Sequence, residues 1–213
     1  KNINKTIGLI QPSFIKKEPP LLKHGAGLAI DFENSIRRSK VETNRYECKQ
    51  GFIDLSDKRQ KDTNLLNVII ETICAIANIN PHSEGYLFIG VADKKSDKDR
   101  IEALDGIRAI EIIGRFIVGI DRELKYFNGK IDNYVDFLLG SIQKSKLSDP
   151  LKIQLLSQLD IVDYKGLTVI RLKIPAQKEL SFVGEDCFYR EHSKTIKAEA
   201  KQVIALSELF KKR

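Results

Sequence analysis

The chain has 213 residues, of which 42% are hydrophobic and 31% charged, the balance of an ordinary folded domain with enough length for one core and peripheral helices. No apolar run approaches the ~20 residues that cross a bilayer, and no secretory signal opens the sequence, so cytoplasm is the expected location. The net charge of +7 turns attention to polyanionic partners, and the absence of methionine from a chain that begins at lysine suggests a domain excised or processed from a larger protein.

In chain order, residues 1–30 read as a linker or arm, broken by Pro12, Pro19-Pro20 and Gly25-Ala26-Gly27, and residues 31–213 as the folded domain. Residues 31–39 form a short helix capped by Asp31, and residues 44–52 the first core strand. Residues 56–62 are polar loop. Residues 63–79 give the clearest helix, with Thr63 as a cap, apolar residues nearly all round and Pro81 as its stop. Residues 86–92 form a central strand that is apolar on both faces.

The segment 94–100 reads as a basic loop, and residues 107–127 and 131–144 carry helical periodicity. Residues 153–163 and 167–174 flank Lys165-Gly166 and predict a hairpin. A short strand over 187–191 precedes an amphipathic helix over 198–211, which would bury Val203, Ile204, Leu206, Leu209 and Phe210. The expected fold is α/β (α+β), a mixed central sheet flanked by helices.

Two segments carry chemistry. Glu42-Thr43-Asn44-Arg45-Tyr46-Glu47-Cys48-Lys49 supplies two carboxylates and an ammonium, and the apolar run from Gly85 ends abruptly in Asp93. On a strand, alternation puts Arg45, Glu47 and Lys49 on one face and turns Tyr46 and Cys48 to the core. Glu42 lies close enough to turn back toward Glu47, and Asp93 sits at a strand end, where open α/β sheets tend to place their sites. Three acids around one point suit a hard cation such as Mg²⁺ or Mn²⁺ held against phosphate. Lys49 would then offset transition-state charge. An Arg-x-Glu-x-Lys alternation is equally what a solvated strand face presents.

Basic residues crowd these acids: Arg37, Arg38, Lys40 and Arg45 before them, Lys94 and Lys95 after Asp93. Arg190, His192 and Lys194 alternate along a second segment and would grip phosphates, or lie at an exposed strand end. Other chemistries find no support. No P-loop occurs, since Gly114-x4-Gly119 is followed by Ile120, and no nucleophile elbow surrounds Ser193, which reads better as a helix cap. Cys48, Cys74 and Cys187 sit in apolar runs without zinc-ligand spacing and read as buried free thiols.

The pattern Glu42-x4-Glu47-Cys48-Lys49, the helix end Ala75-Ile76-Ala77-Asn78 and Gly85-Tyr86-Leu87-Phe88-Ile89-Gly90-Val91-Ala92-Asp93 together resemble the Schlafen core, or AlbA_2, domain. Two later blocks agree, Val169-Ile170-Arg171-Leu172-Lys173-Ile174-Pro175 and Phe188-Tyr189-Arg190 leading to Ser193 and Thr195. Two departures stand out: Glu84-Gly85 replaces the family's Gly-Gly, and Cys48 its phenylalanine.

The resemblance implies a metal-dependent endoribonuclease with Glu42, Glu47 and Asp93 as ligands of Mg²⁺ or Mn²⁺ and Lys49 beside them. It also implies structured RNA such as transfer RNA as substrate, and a role as effector of a larger bacterial defence protein. The family's ribonuclease core is a horseshoe of two lobes, and one lobe's motifs here imply a homodimer or assembly through a parent protein. The family equally contains members regarded as non-catalytic nucleic-acid binders in regulators. A third possibility is an assembly domain whose acids pair internally with Arg45 and Lys49.

Overall fold

Residues 24–41 and 43–211 are described by a computed structural model. The first helix, α1, runs His24–Arg38 and ends in Arg37 and Arg38. It crosses the boundary expected at residue 30, and Asp31 is an interior helical residue and not a cap. Residues 1–23 of the expected arm, and Glu42, lie outside the described residues. After a 3-10 turn at Thr43–Arg45 come β1 (Tyr46–Lys49), α2 (Thr63–Ala77) and β2 (Gly85–Ile89).

β1 and β2 are parallel, with Glu47 opposite Leu87 and Lys49 opposite Ile89, so α2 is the crossover between them. Asp62, and not Thr63, caps α2 by accepting from Leu65 N at 3.0 Å. Further along, β6 (Leu159–Tyr164) and β7 (Leu167–Ile174) form the predicted hairpin, with a shorter first strand than expected because residues 153–155 belong to a helix; Lys165 and Gly166 at its turn both take positive φ. The main sheet has the order β1-β2-β7-β6, parallel at β1–β2 and antiparallel elsewhere.

Both faces of this sheet are covered, which explains the uninterrupted apolar run of β2. Leu87 and Ile89 point to one side with Ile69, Ile73 and Ile76 of α2. Tyr46 and Phe88 point to the other, with Phe32 and Ile36 of α1 and Val162 and Val169 of the hairpin. α1 is tied down further by Glu33, which accepts from Tyr164 Oη at 2.6 Å. That hydrogen bond, and then Arg37, hold the Glu33 carboxyl below its ordinary value of 4.5. A depressed folded-state value stabilises above the unfolded value and is lost as pH falls through the folded one. The melting-temperature difference between wild type and Glu33→Gln should therefore be full at neutral pH and shrink as pH falls below about 4.5; a difference that grows as the pH is lowered would contradict it.

Gly90 interrupts the central strand at φ +99, a conformation that favours glycine. Its N–H still donates to Lys49 O at 2.9 Å, while its carbonyl accepts from Val118 N at 2.9 Å and Gly119 N at 3.0 Å. The chain thereby leaves the main sheet. Val91–Ala92 becomes β3 of a three-stranded sheet in the order β3-β5-β4, formed with β4 (Ile110–Ile112) and β5 (Arg115–Ile117). Between them, α3 (Lys95–Asp105) ends on Gly106 at φ +65, whose N–H returns to Glu102 O.

This region departs most from expectation. Residues 107–117 form a hairpin and not a helix, because Ile113 and Gly114 both take positive φ in its turn. Isoleucines at 107, 110, 113, 117 and 120 recur every three or four residues, and three-residue strands are too short to display alternation against that spacing. Residues 121–127 are a 3-10 helix. The expected loop at 94–100 is instead the start of α3, whose polar surface gave no apolar stripe because only Ile101 is buried.

The chain continues through α4 (Ile131–Lys144), as expected, and α5 (Asp149–Leu155). The hairpin β8 (Phe188–Glu191) and β9 (Lys194–Lys197) packs over α2, and α6 (Ala200–Lys211) ends the described chain. No residue of α6 is buried, and Ile204 and Leu209 stay exposed at 66% and 44%, so its apolar side does not join the core. Among the described residues no helix is long and apolar enough to cross a membrane.

Candidate active site

β1 directs Glu47 and Lys49 to one side, as alternation requires, and they form an ion pair of 2.6 Å through Glu47 Oε1. The other oxygen, Oε2, accepts from Arg190 Nη2 at 3.1 Å. Arg190 comes from β8, and its side chain is only 1% exposed. It also donates to the carbonyls of Asn44 at 3.3 Å and Tyr46 at 3.4 Å and to Thr195 Oγ1 at 3.0 Å. Burial pushes the guanidinium downward and Glu47 opposes the shift. Arg190 is thus the clamp that joins the 43–46 turn, β1 and the β8–β9 hairpin.

The hairpin is held to the end of α2 by Asn78, fully buried, whose Nδ2 donates to Ser181 O and Phe188 O, each at 2.9 Å. Its Oδ1 accepts from Ser181 N at 2.7 Å, so all of the amide's main capacity is used. The asparagine at the helix end is therefore the bolt that sets Arg190 in register with Glu47.

Asp93 follows β3 and is half-exposed, with a loose ion pair to Arg115 Nη1 at 3.8 Å. The three cysteines are free, Cys74 and Cys187 buried and Cys48 half-buried as a residue. Cys48 packs against the core on the α1 side of the sheet. Burial pushes its thiol up to about 12; Arg115 and Lys49 oppose the shift, while Glu47 and Asp93 add to it. Groups on β1, β3 and β5 therefore share one electrostatic neighbourhood. A thiol so protonated is a poor nucleophile and serves as packing.

Among the predicted acids, Glu42 lies outside the described residues, while Glu47 and Asp93 are brought to the same region from separate strands. Among the described residues no group of three His, Cys, Asp or Glu is arranged to hold a metal ion. Lys40 lies against the β4–β5 turn, where a Cβ on Gly114 would come within 3.2 Å of its Nζ. Lys94 and Lys95 are exposed where α3 begins, directly after Asp93. Arg37 pairs with Glu33 at 2.7 Å, and exposed Arg38 borders a polar cleft of about 330 Å³ with Tyr86 and Arg171.

Two expected arrangements are corrected. Arg45 lies in the 3-10 turn and donates to Glu84 O at 2.7 Å, so it does not share a strand face with Glu47 and Lys49. Arg190, His192 and Lys194 do not alternate along one strand, because the chain reverses at His192, which has φ +53, and pairs Glu191 with Lys194. Lys194 is exposed, whereas Arg190 faces inward. Ser193 belongs to that turn and caps no helix. Sequence reasoning also missed Arg115, since its segment was read as helical and a lone arginine carries no motif.

The molecule is thus a mixed α/β domain with two carboxylates set among cations where its four-stranded and three-stranded sheets meet. The chain belongs to the Schlafen AlbA_2 family, whose model matches residues 42–199. No curated protein sequence matches it. Among solved structures, the crystal structure of the DIP2311 protein from Corynebacterium diphtheriae is similar at 12% identity and a TM-score of 0.48. That similarity covers 83% of this chain, which spans 28% of the other.

Proposed function

We propose that this domain is a divalent-metal-dependent endoribonuclease that acts on structured RNA such as transfer RNA, as the effector part of a larger bacterial defence protein. The observation that carries the reading is the convergence of Glu47 and Asp93 on the neighbourhood of Cys48, within the family-matched stretch. Glu42, Glu47 and Asp93 offer the hard oxygen donors that Mg²⁺ or Mn²⁺ takes. Each Glu47 oxygen has one cationic donor, and a carboxylate oxygen has room for a second contact, so ligation is compatible with the ion pairs. Asp93 is more open still.

The cation, when bound, supplies Lewis-acid polarisation of the phosphoryl oxygen and activation of water. The chain's own groups do the rest. Arg190 orients the Glu47 carboxylate, and Lys49 sits where it offsets charge gathering on phosphate oxygens. Lys40, Lys94 and Lys95 line the approach as contacts for the RNA backbone. Incubating labelled transfer RNA with the protein should give fragments in Mn²⁺ and none with chelator; intact RNA in both would refute the proposal. The same reading includes a homodimer that supplies a second lobe, and a monomer by light scattering at high concentration would remove that part.

A second reading has its own support. Glu47 is neutralised on both oxygens by Lys49 and Arg190, as in a domain whose acids have become structural. That reading is a non-catalytic nucleic-acid-binding module of a regulator. It expects salt-sensitive RNA binding with no cleavage in Mn²⁺.

A further inference from the structure

Arg115 is the most under-used cation of the site. It stands on β5, directly after the turn against which Lys40 lies, and its side chain is 16% exposed. Its Nε is buried and, among the described residues, has no hydrogen-bond partner. Its ion pair with Asp93 stretches to 3.8 Å, beyond hydrogen-bond length. Arg122 also has a buried Nε without a partner, but its two Nη atoms donate to Asp105, Gln50 and Glu123, whereas among the described residues the Arg115 fork has the long contact to Asp93 alone.

A buried donor left without an acceptor costs roughly 1–3 kcal/mol, and an anion that supplies acceptors to the same guanidinium offsets that cost. Arginine's planar fork matches the oxygens of a phosphodiester better than any other side chain does. Asp93 cannot fill that role, since at its present distance it leaves most of the fork unused.

We propose that Arg115, assisted by Lys40, holds a phosphate of the bound nucleic acid beside Asp93, giving the guanidinium the acceptors it lacks. The phosphate would enter between Arg115 and Asp93 and be gripped from the β5 side, opposite the β1 side that carries Lys49. The proposal deepens the nucleic-acid reading of this site and assigns β5 a part in it. It needs no cleavage, because a phosphate grip serves binding and catalysis alike.

The test separates the two. In chelator, the salt dependence of binding to a labelled RNA hairpin is measured for wild type and Arg115→Gln, with thermal melts as a fold check. Loss of one phosphate contact should lower the slope of log K against log salt by about 1 and weaken binding at every sequence tried. In Mn²⁺, if the wild type cleaves, Arg115→Gln should cut at least tenfold more slowly. An unchanged slope in a folded variant overturns the proposal whether or not the wild type cleaves. A lowered slope beside an inactive wild type supports it and refutes the nuclease reading alone. Should Arg115→Gln fail to fold, Lys40→Gln decides by the same slope, an unchanged value again overturning the proposal.

Discussion

Glu47→Gln and Asp93→Asn should each remove RNA cleavage in Mn²⁺ while leaving the protein folded. The expected loss is roughly a hundredfold or more, the scale of deleting one preorganised charge at a transition state. Glutamine is the informative change at position 47 because of Arg190. That guanidinium is 1% exposed, so Glu47→Ala would strand a buried cation, a defect that costs roughly 3–5 kcal/mol in stability. Loss of activity in the alanine variant would then report unfolding as readily as chemistry. Glutamine keeps a carbonyl oxygen that Arg190 can still use and gives up the charge and the acceptor facing Lys49, the more exposed and adaptable of the two cations. Asp93 is half-exposed with one loose partner, so its asparagine variant carries little structural risk. Cleavage at wild-type rate in both folded variants would end the assignment of these carboxylates.

The largest stability effect belongs to a residue with no place in the chemistry. Glu123 is fully buried. Its Oε2 accepts from Phe52 N at 2.7 Å and Tyr134 Oη at 2.8 Å, and its Oε1 from Ile53 N at 3.2 Å and Arg122 Nη2 at 2.9 Å. Burial raises its carboxyl, and Arg122 and the donors oppose that shift. Arg122 continues to Asp105 at 3.0 Å, which also binds Arg59 at 2.6 Å.

Glu123→Ala leaves two backbone N–H groups, a phenol and a guanidinium without their acceptor. The loss should be roughly 3–5 kcal/mol, a fall in melting temperature on the order of 10 °C for a domain of this size. Gly51→Ala attacks the same point from the other side, since a Cβ there would lie 2.1 Å from Glu123 Oε1. Thermal unfolding followed by circular dichroism checks both, and a shift under 3 °C for Glu123→Ala would show the network to be dispensable. The segment it anchors begins three residues after Lys49, so on the proposed reading RNA handling should decline with stability.

The resemblance motifs trace this division between local and distant. The Ala-x-x-Asn helix end is legible because one residue type does one task, Asn78 bridging to Ser181 and Phe188 with both ends of its amide. Glu47 was legible as an acid on a strand face and Asp93 as one at a strand end, yet their partners were not. Arg190 is 143 positions from Glu47, and Arg115 lies on strands that mimic helical spacing. Arg190 itself was read as a surface grip, because nothing in a local window distinguishes a buried clamp from an exposed one.

From its residues alone this protein declared α2, α4 and the β6–β7 hairpin, where apolar periodicity or a turn pair is set by neighbours a few positions away. They also declared the family. Tertiary structure alone decided the departure of the chain from the main sheet at Gly90, the inward turn of Arg190 and the Glu123 network 71 residues from Phe52. Periodicity records whether a side chain meets the interior, because burial follows from local geometry. Which partner it meets there depends on closing long loops, and that information is spread over both ends of the contact.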